Sequence, residues 1–111
     1  MVYHRLSVEP MIETVVLIPI RDNQGRLFPR SLWRELEARL LYFGGLTDAG
    51  EVRGVWRSGD RVFRDRNRQL AVSLGSWKQL AAWLEVVEWA RIAFRQEAIY
   101  IKVAGVPEII T

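Results

Sequence analysis

The chain has no cysteine and only one histidine, His4, among its 111 residues. Without cysteine there is no disulfide, no thiolate metal site and no cysteine nucleophile. A single histidine cannot build a multi-histidine metal centre, and its place in a polar N-terminal stretch disfavours a histidine-based catalytic triad. We therefore expect no metal and no cofactor, and these absences remove a large share of hydrolase chemistry.

Long hydrophobic runs are also missing. The first apolar run, Val15 to Ile20, is far shorter than the ~20 residues that a membrane helix needs, and no signal peptide is visible. We expect a cytoplasmic protein with no membrane partner. Its length predicts one domain over residues 12–111, preceded by an N-terminal leader over residues 1–11.

Lysine is scarce, with two residues against fourteen arginines, and the formal net charge is +3. Arginine suits fixed ion pairs and planar contacts, although a GC-rich genome explains the same bias equally well. A charge of +3 spread along the chain is too small to indicate a nucleic-acid partner by itself.

Residues 76–94 are the most informative segment that is present. Ser76 and Gln79 match a capping box, which predicts that a helix begins there. The helix is apolar over most of its circumference, which indicates burial on more than one side. We interpret the excess apolar surface of this helix as a homodimer interface, formed by Trp83, Val86, Trp89 and Phe94. The alternative is cover from within the chain, by an N-terminal segment or a loop.

Hydrophobic alternation and turn residues predict the other elements. A first helix is expected from an N-cap at Ser31 to about Phe43, and Val106–Thr111 is expected as a short tail. The expected strands cover residues 12–20, 46–57, 61–74 and 98–104.

The order β-α-β-β-α-β predicts an α+β, ferredoxin-like fold with a four-stranded antiparallel sheet and both helices on one face. The first strand is apolar on both faces, which favours a dimer formed sheet to sheet. Whether the turn after Arg57 has two or three residues stays open, and this register decides which face carries Trp56.

Two groups of residues could carry a function. A pocket for a small molecule is predicted from Trp56, Gln96, Glu97 and Tyr100, in which Glu97 is a weak candidate for a general base. The alternative is that Gln96 and Glu97 satisfy backbone groups after the helix, or that Glu97 pairs with Arg95.

The second group lies in the hairpin and is a weak candidate for single-stranded nucleic acid. It consists of Arg57, Arg61, Arg64, Arg66 and Arg68, interleaved with aromatic side chains. The alternative is a solvated hairpin whose arginines pair with Asp60 and Asp65 while its aromatic residues join the core.

The motifs G-x-W-R-x-G at Gly54–Gly59 and F-x-Q-E-A at Phe94–Ala98 resemble those of a small bacterial domain family of unknown function, within the dimeric α/β-barrel class. In that family a glycine often precedes the Gln-Glu pair, where this chain has Arg95. The class includes monooxygenases, decolorising enzymes and ligand-binding regulators, which generally use a haem histidine or a buried His/Asp pair. The resemblance therefore implies the fold and a dimer, and it transfers no activity.

The combined interpretation is a non-catalytic, homodimeric binding or scaffold module, with a further protein partner left open. A small-molecule sensor or enzyme and a nucleic-acid-binding protein are the alternatives. The sequence alone leans against an enzyme and disfavours nucleic acid.

Overall fold

The computed structural model describes residues 10–111, so His4 and most of the expected leader lie outside it. The elements alternate between strands and two α-helices, and a short 3-10 turn, Trp77–Gln79, precedes the second helix. The helices are α1 (Arg30–Leu41) and α2 (Leu80–Ala93). The strands are β1 (Ile12–Pro19), β2 (Thr47–Ser58), β3 (Arg61–Leu74), β4 (Ile99–Val103) and β5 (Val106–Ile110).

All five strands form one antiparallel sheet in the order β2-β3-β1-β4-β5. The prediction of a four-stranded ferredoxin-like sheet is therefore wrong, although the α+β class holds. The expected tail is β5, which pairs with β4 from Ile99–Ile110 to Val103–Val106. Ala104 and Gly105 make the intervening turn with φ of 50° and 80°. Tight hairpins need such left-handed residues, and alanine is not a usual signal for one.

The core lies between the two helices and one face of the sheet. Even-numbered residues of β1 and β3 and odd-numbered residues of β4 point into it, as the strand period of two requires. The buried set includes Val16, Ile18, Leu36, Leu40, Leu70, Val72, Val87 and Ile101. Buried Thr14 satisfies its hydroxyl by donating to the Val72 carbonyl oxygen at 2.7 Å.

Both predicted helix starts differ from the structure. α1 begins at Arg30 after an extended Pro29, so Ser31 lies inside the helix and is not the N-cap. Before α2, Ser76 makes no capping hydrogen bond, and the amide oxygen of Gln79 accepts one from the backbone N–H of Gly75 at 2.8 Å. The first turn tightens to a 3-10 helix, which is common where helices begin.

The apolar excess of α2 is covered in large part from within the chain. Trp83 and Phe94 are 1% and 0% exposed, and the Phe94 ring lies 4.9 Å from that of Phe28 and 4.8 Å from that of Trp33. Buried side chains offer no surface to a second copy. The prediction that Trp83 and Phe94 form a subunit interface is therefore wrong. Val86 and Trp89 are half-buried and stay predictions.

Arg95 ends α2 in a conformation that costs stability. Its φ is 53°, in the left-handed region that a residue with a Cβ enters at a cost, and its side chain is exposed. We expect Arg95→Gly to raise the free energy of unfolding by about 0.5–1 kcal/mol, measured by urea denaturation. Arg95→Ala, which keeps a Cβ, is the matched control and should not give this gain. An equal gain in both variants would contradict the backbone explanation.

Candidate functional site

The face of the sheet that the helices do not cover, here called the open face, carries Val15, Leu17, Tyr100, Lys102, Pro107 and Ile109 near its centre. At the end of this face where β1 finishes and β4 begins lies an open groove of about 1000 Å³. Leu17, Tyr100 and Ile109 line it from the sheet, and the loop after β1 lines another side. The groove combines an apolar floor with polar edges.

The long hairpin forms the opposite wall. β1 pairs with β3 only as far as Asn67, so the distal part of the hairpin, residues 53–66, is a two-stranded ribbon that we call the arm. Ser58 pairs with Arg61 across a two-residue turn in which Gly59 has φ of 60°. This register sets Trp56 beside Phe63 and on the same face as Gly54 and Asp65.

Trp56 is held in place by two contacts on the arm. Its ring stacks on Phe63 with a centroid distance of 4.4 Å and an interplanar angle of 16°. Its indole N–H donates to Asp65 Oδ2 at 2.7 Å. These contacts orient an aromatic surface toward the groove, and stacked aromatic pairs restrict how the ring moves.

The loop after β1 is stabilised by Asp22. Its carboxylate accepts hydrogen bonds from the backbone N–H groups of Gln24 at 2.9 Å and Arg26 at 2.8 Å. The bond from the Arg26 amide is the main cause that lowers the pKa of Asp22 below its ordinary value. A carboxylate used in this way is a loop-forming residue and a poor proton acceptor.

Of the four predicted ligand residues, Trp56, Gln96 and Tyr100 line the groove, and Glu97 does not. Glu97 is exposed, so the burial that a general base at this position requires is missing. The amide of Gln96 donates to the Phe94 carbonyl oxygen at 2.9 Å, which is the capping role that the sequence left as the alternative. The Gln96 side chain also lines the groove.

Four of the five candidate nucleic-acid residues, Arg57, Arg64, Arg66 and Arg68, lie on one face of the hairpin, and Arg61 lies on the other. Arg68 is half-buried beneath α1, where Nη2 contacts Glu37 at 2.6 Å and Nε contacts Asp48 at 3.0 Å. Its guanidinium also lies 4.9 Å from the centre of the Trp33 ring. Arg66 pairs with Glu51 at 3.3 Å. Among residues 10–111, the remaining Arg57, Arg61 and Arg64 are exposed and form no ion pair.

The Arg68 contacts change the ionisation of the groups involved. The hydrogen bond from Arg68 is the main cause that lowers the pKa of Asp48, and the bond to Asp48 is the main cause that raises the pKa of Arg68. Both shifts favour the charged forms. This cluster therefore holds β2, β3 and α1 together, and it lies on the helix side of the sheet, away from the groove.

Several groove residues were not predicted from the sequence, among them Leu17, Asn23, Asp65, Asn67 and Ile109. The signal that was present is the group of polar residues where β1 ends, since strand ends on one sheet edge meet in space. These polar residues alone do not predict the groove, because its position also depends on the register of β3 and on β5, which supplies Ile109.

Two other kinds of site are absent from the described part of the chain. No group of three or more His, Asp or Glu residues within 10–111 is arranged to hold a metal ion. No helix within that range is long and apolar enough to cross a membrane.

No family model and no curated protein matches the chain. The motif that suggested a bacterial domain family is thus not confirmed at the level of a family. Solved structures do match over the full length of the chain. A phage SAM lyase in complex with S-methyl-5'-thioadenosine has a TM-score of 0.71 at 13% identity, over 100% of this chain and 96% of that one.

Two other solved structures are more distant. The divalent cation tolerance protein Cut A1 from Thermus thermophilus has a TM-score of 0.52 at 13% identity, over 91% of this chain and 81% of that one. A NIF3-related protein from Bacillus cereus has a TM-score of 0.54 at 15% identity, over 93% of this chain and 27% of that one. At these identities the likeness shows a shared small α/β fold alone.

Proposed function

We propose that residues 12–111 form a small-molecule-binding module and that the groove beside the arm holds the ligand. The observation that carries this proposal is the convergence of Trp56, Gln96 and Tyr100 on one groove of about 1000 Å³ with an apolar floor. Ligand sites are typically concave, mostly apolar and edged by a few polar groups, as this groove is. The proposal assigns binding and no reaction.

The residues of the groove favour a ligand with a flat aromatic ring and a polar rim. Trp56 and Tyr100 offer aromatic faces on which such a ring can stack, and Asn67 and Gln96 offer amides for its edge. A nucleoside thioether has this character, and the phage SAM lyase of similar fold was solved with S-methyl-5'-thioadenosine. We therefore propose nucleosides of this class as the ligand.

The proposal is tested by titrating the purified protein with S-methyl-5'-thioadenosine in a calorimeter. We expect saturable binding, and Trp56→Ala should weaken it by about 5- to 150-fold because a stacked base contributes ~1–3 kcal/mol. Trp77→Ala is the control, because Trp77 is exposed and does not line the groove. No binding of this nucleoside or of SAM by the wild type, or an equal loss in both variants, would refute the ligand class.

Native mass spectrometry of gently purified protein checks the same proposal without a chosen probe. A co-purifying small mass gives the ligand directly. Incubation with SAM followed by chromatography separates a sensor, which leaves SAM unchanged, from an enzyme, which converts it.

We also propose that the protein self-associates, as the sequence interpretation expects, and that it is cytoplasmic. Exposed apolar residues on the arm favour self-association over an isolated monomer.

A further inference from the structure

The strand register of the arm separates its positive charges from its acidic residues. Side chains alternate between the two faces of a strand, so one face of the arm carries four arginines and no carboxylate. We call this the basic face, and its charged residues are Arg53, Arg57, Arg64 and Arg66. Asp65 lies on the opposite face, where it accepts the indole N–H of Trp56. The acid nearest in sequence therefore does not neutralise the arginines.

The arginines of the basic face lie close to one another. Arg53 is directly opposite Arg66, and like charges at such cross-strand positions are destabilising. One carboxylate, that of Glu51, contacts Arg66 at 3.3 Å. Within residues 10–111, Arg53, Arg57 and Arg64 form no ion pair. An outside anion would relieve the repulsion among these guanidinium groups.

The arm holds the whole net charge of the chain. Residues 53–66 include five arginines and two aspartates, a net charge of +3, and the net charge of the full sequence is also +3. The rest of the chain is therefore neutral overall. Spread along the chain, this charge indicates no nucleic-acid partner, but concentrated on one hairpin it forms a basic patch of the kind that contacts phosphates.

The shape of the arm fits the major groove of duplex DNA. The arm is a two-stranded ribbon, paired from Arg53–Arg66 to Ser58–Arg61, which is about 20 Å long at ~3.3 Å per residue. Its basic face is uncovered, since Val55 and Val62 between the arginines are 61% and 55% exposed. The major groove of B-form DNA is about 12 Å wide and admits a two-stranded ribbon, whereas that of A-form RNA is narrow and deep.

The aromatic residues of the arm disfavour a single-stranded partner. Surfaces for single strands combine phosphate contacts with aromatic rings on which the bases stack. Trp56 and Phe63 lie on the face opposite the basic face, and their rings stack on each other at a centroid distance of 4.4 Å. Beside its arginines the basic face offers only Val55 and Val62, which give apolar contact and no stacking surface.

We propose that the basic face of the arm binds duplex DNA, with its four arginines at phosphates along the major groove. This contact is separate from the proposed ligand site, because Arg53 and Arg57 lie on the edge strand β2 and do not line the groove, although Arg64 and Arg66 border it. Phosphate contacts carry no sequence information, so the binding is expected to be independent of DNA sequence.

The test is a titration of a fluorescently labelled DNA duplex of about 30 base pairs with the full chain, followed by anisotropy. With four phosphate contacts, the slope of log affinity against log salt should be about −3.6, a loss of roughly 150-fold between about 50 and about 200 mM salt. The double variant Arg53→Gln, Arg57→Gln should bind at least about tenfold more weakly at about 50 mM salt, with a slope of about −1.8.

The double variant Lys78→Gln, Lys102→Gln is the matched control. It removes the same amount of positive charge from exposed positions before α2 and on β4, outside the arm, and should bind DNA as the wild type does. All four substituted side chains are exposed, so both variants should fold, as checked by circular dichroism. Equal weakening in the two variants would show that net charge and not the arm decides the affinity, and would refute the proposal.

Two results with the wild type would also overturn the DNA contact. Absence of binding at about 50 mM salt refutes it outright, because phosphate contacts are strongest at low salt. Equal or tighter binding of the single strand of the same sequence refutes the entry of the ribbon into a major groove, which only the duplex has. Neither result bears on the nucleoside site, which the calorimetric titration tests separately.

Discussion

Replacing Phe94 with alanine is expected to lower the free energy of unfolding by about 3–5 kcal/mol, measured by urea denaturation. The Phe94 side chain is 0% exposed and is packed against Phe28 and Trp33, so its removal leaves a cavity that three elements would have to close. The loss includes the transfer energy of the ring, the cavity term and two aromatic contacts.

Ile92→Ala is the matched control, since Ile92 lies on the same helix two residues earlier and is 64% exposed. A change of no more than about 0.5 kcal/mol is expected there. The experiment also decides between the two interpretations of the apolar helix. A small loss of stability in Phe94→Ala combined with a lower solution mass would mean that Phe94 contacts another copy.

Replacing Arg68 with methionine is expected to lower the free energy of unfolding by about 1–2 kcal/mol at pH 7. Methionine keeps much of the apolar stem and removes the guanidinium that contacts Glu37, Asp48 and the Trp33 ring. The expected loss of stability is small because the side chains of Glu37 and Asp48 are 36% and 38% exposed. Water therefore solvates their carboxylates when the guanidinium is removed. Arg26→Met, which removes an exposed pair with Asp22 at 3.4 Å, should cost less than about 0.5 kcal/mol.

The Arg68 effect should also depend on pH. Folding lowers the pKa of Asp48, so the stability from this pair is fully present above the unfolded pKa of about 3.9 and is lost as the pH falls through the lower, folded pKa. The difference between wild type and Arg68→Met should therefore shrink between about pH 5 and about pH 2. A difference that stays constant over that range would show that Asp48 does not contribute through its charge.

Local patterns were enough for the elements and for most of the core. Alternation in β1 and β3, and the apolar faces of both helices, depend on the repeat of each element and need no knowledge of its neighbours. Trp56, Gln96 and Tyr100 were grouped by the sequence because aromatic and amide residues stand out from the surrounding apolar pattern, and they line one groove. That they bind a ligand stays a prediction.

Local sequence patterns do not predict short turns without the usual turn residues, or contacts between residues that are far apart in the chain. The turn at Ala104–Gly105 has no asparagine or aspartate, the usual signals of two left-handed residues, so the sequence predicts a tail where β5 forms. Glu97 was assigned to the pocket because it is adjacent to Gln96, yet consecutive residues around a helix end can point in different directions. Arg68 was grouped with the other hairpin arginines because its acidic partners are 20 and 31 residues away.

The sequence by itself determined the α+β class, the central apolar strand, the two helices and the poverty of metal-binding and nucleophilic side chains, because each depends on composition or on local repeats. Only the tertiary structure decided that Trp83 and Phe94 are internal, that the sheet has a fifth strand, and that β1 pairs with β3 as far as Asn67. These features depend on which strands become neighbours and in which register. Pairing between residues far apart in the chain sets both, and no local pattern contains it.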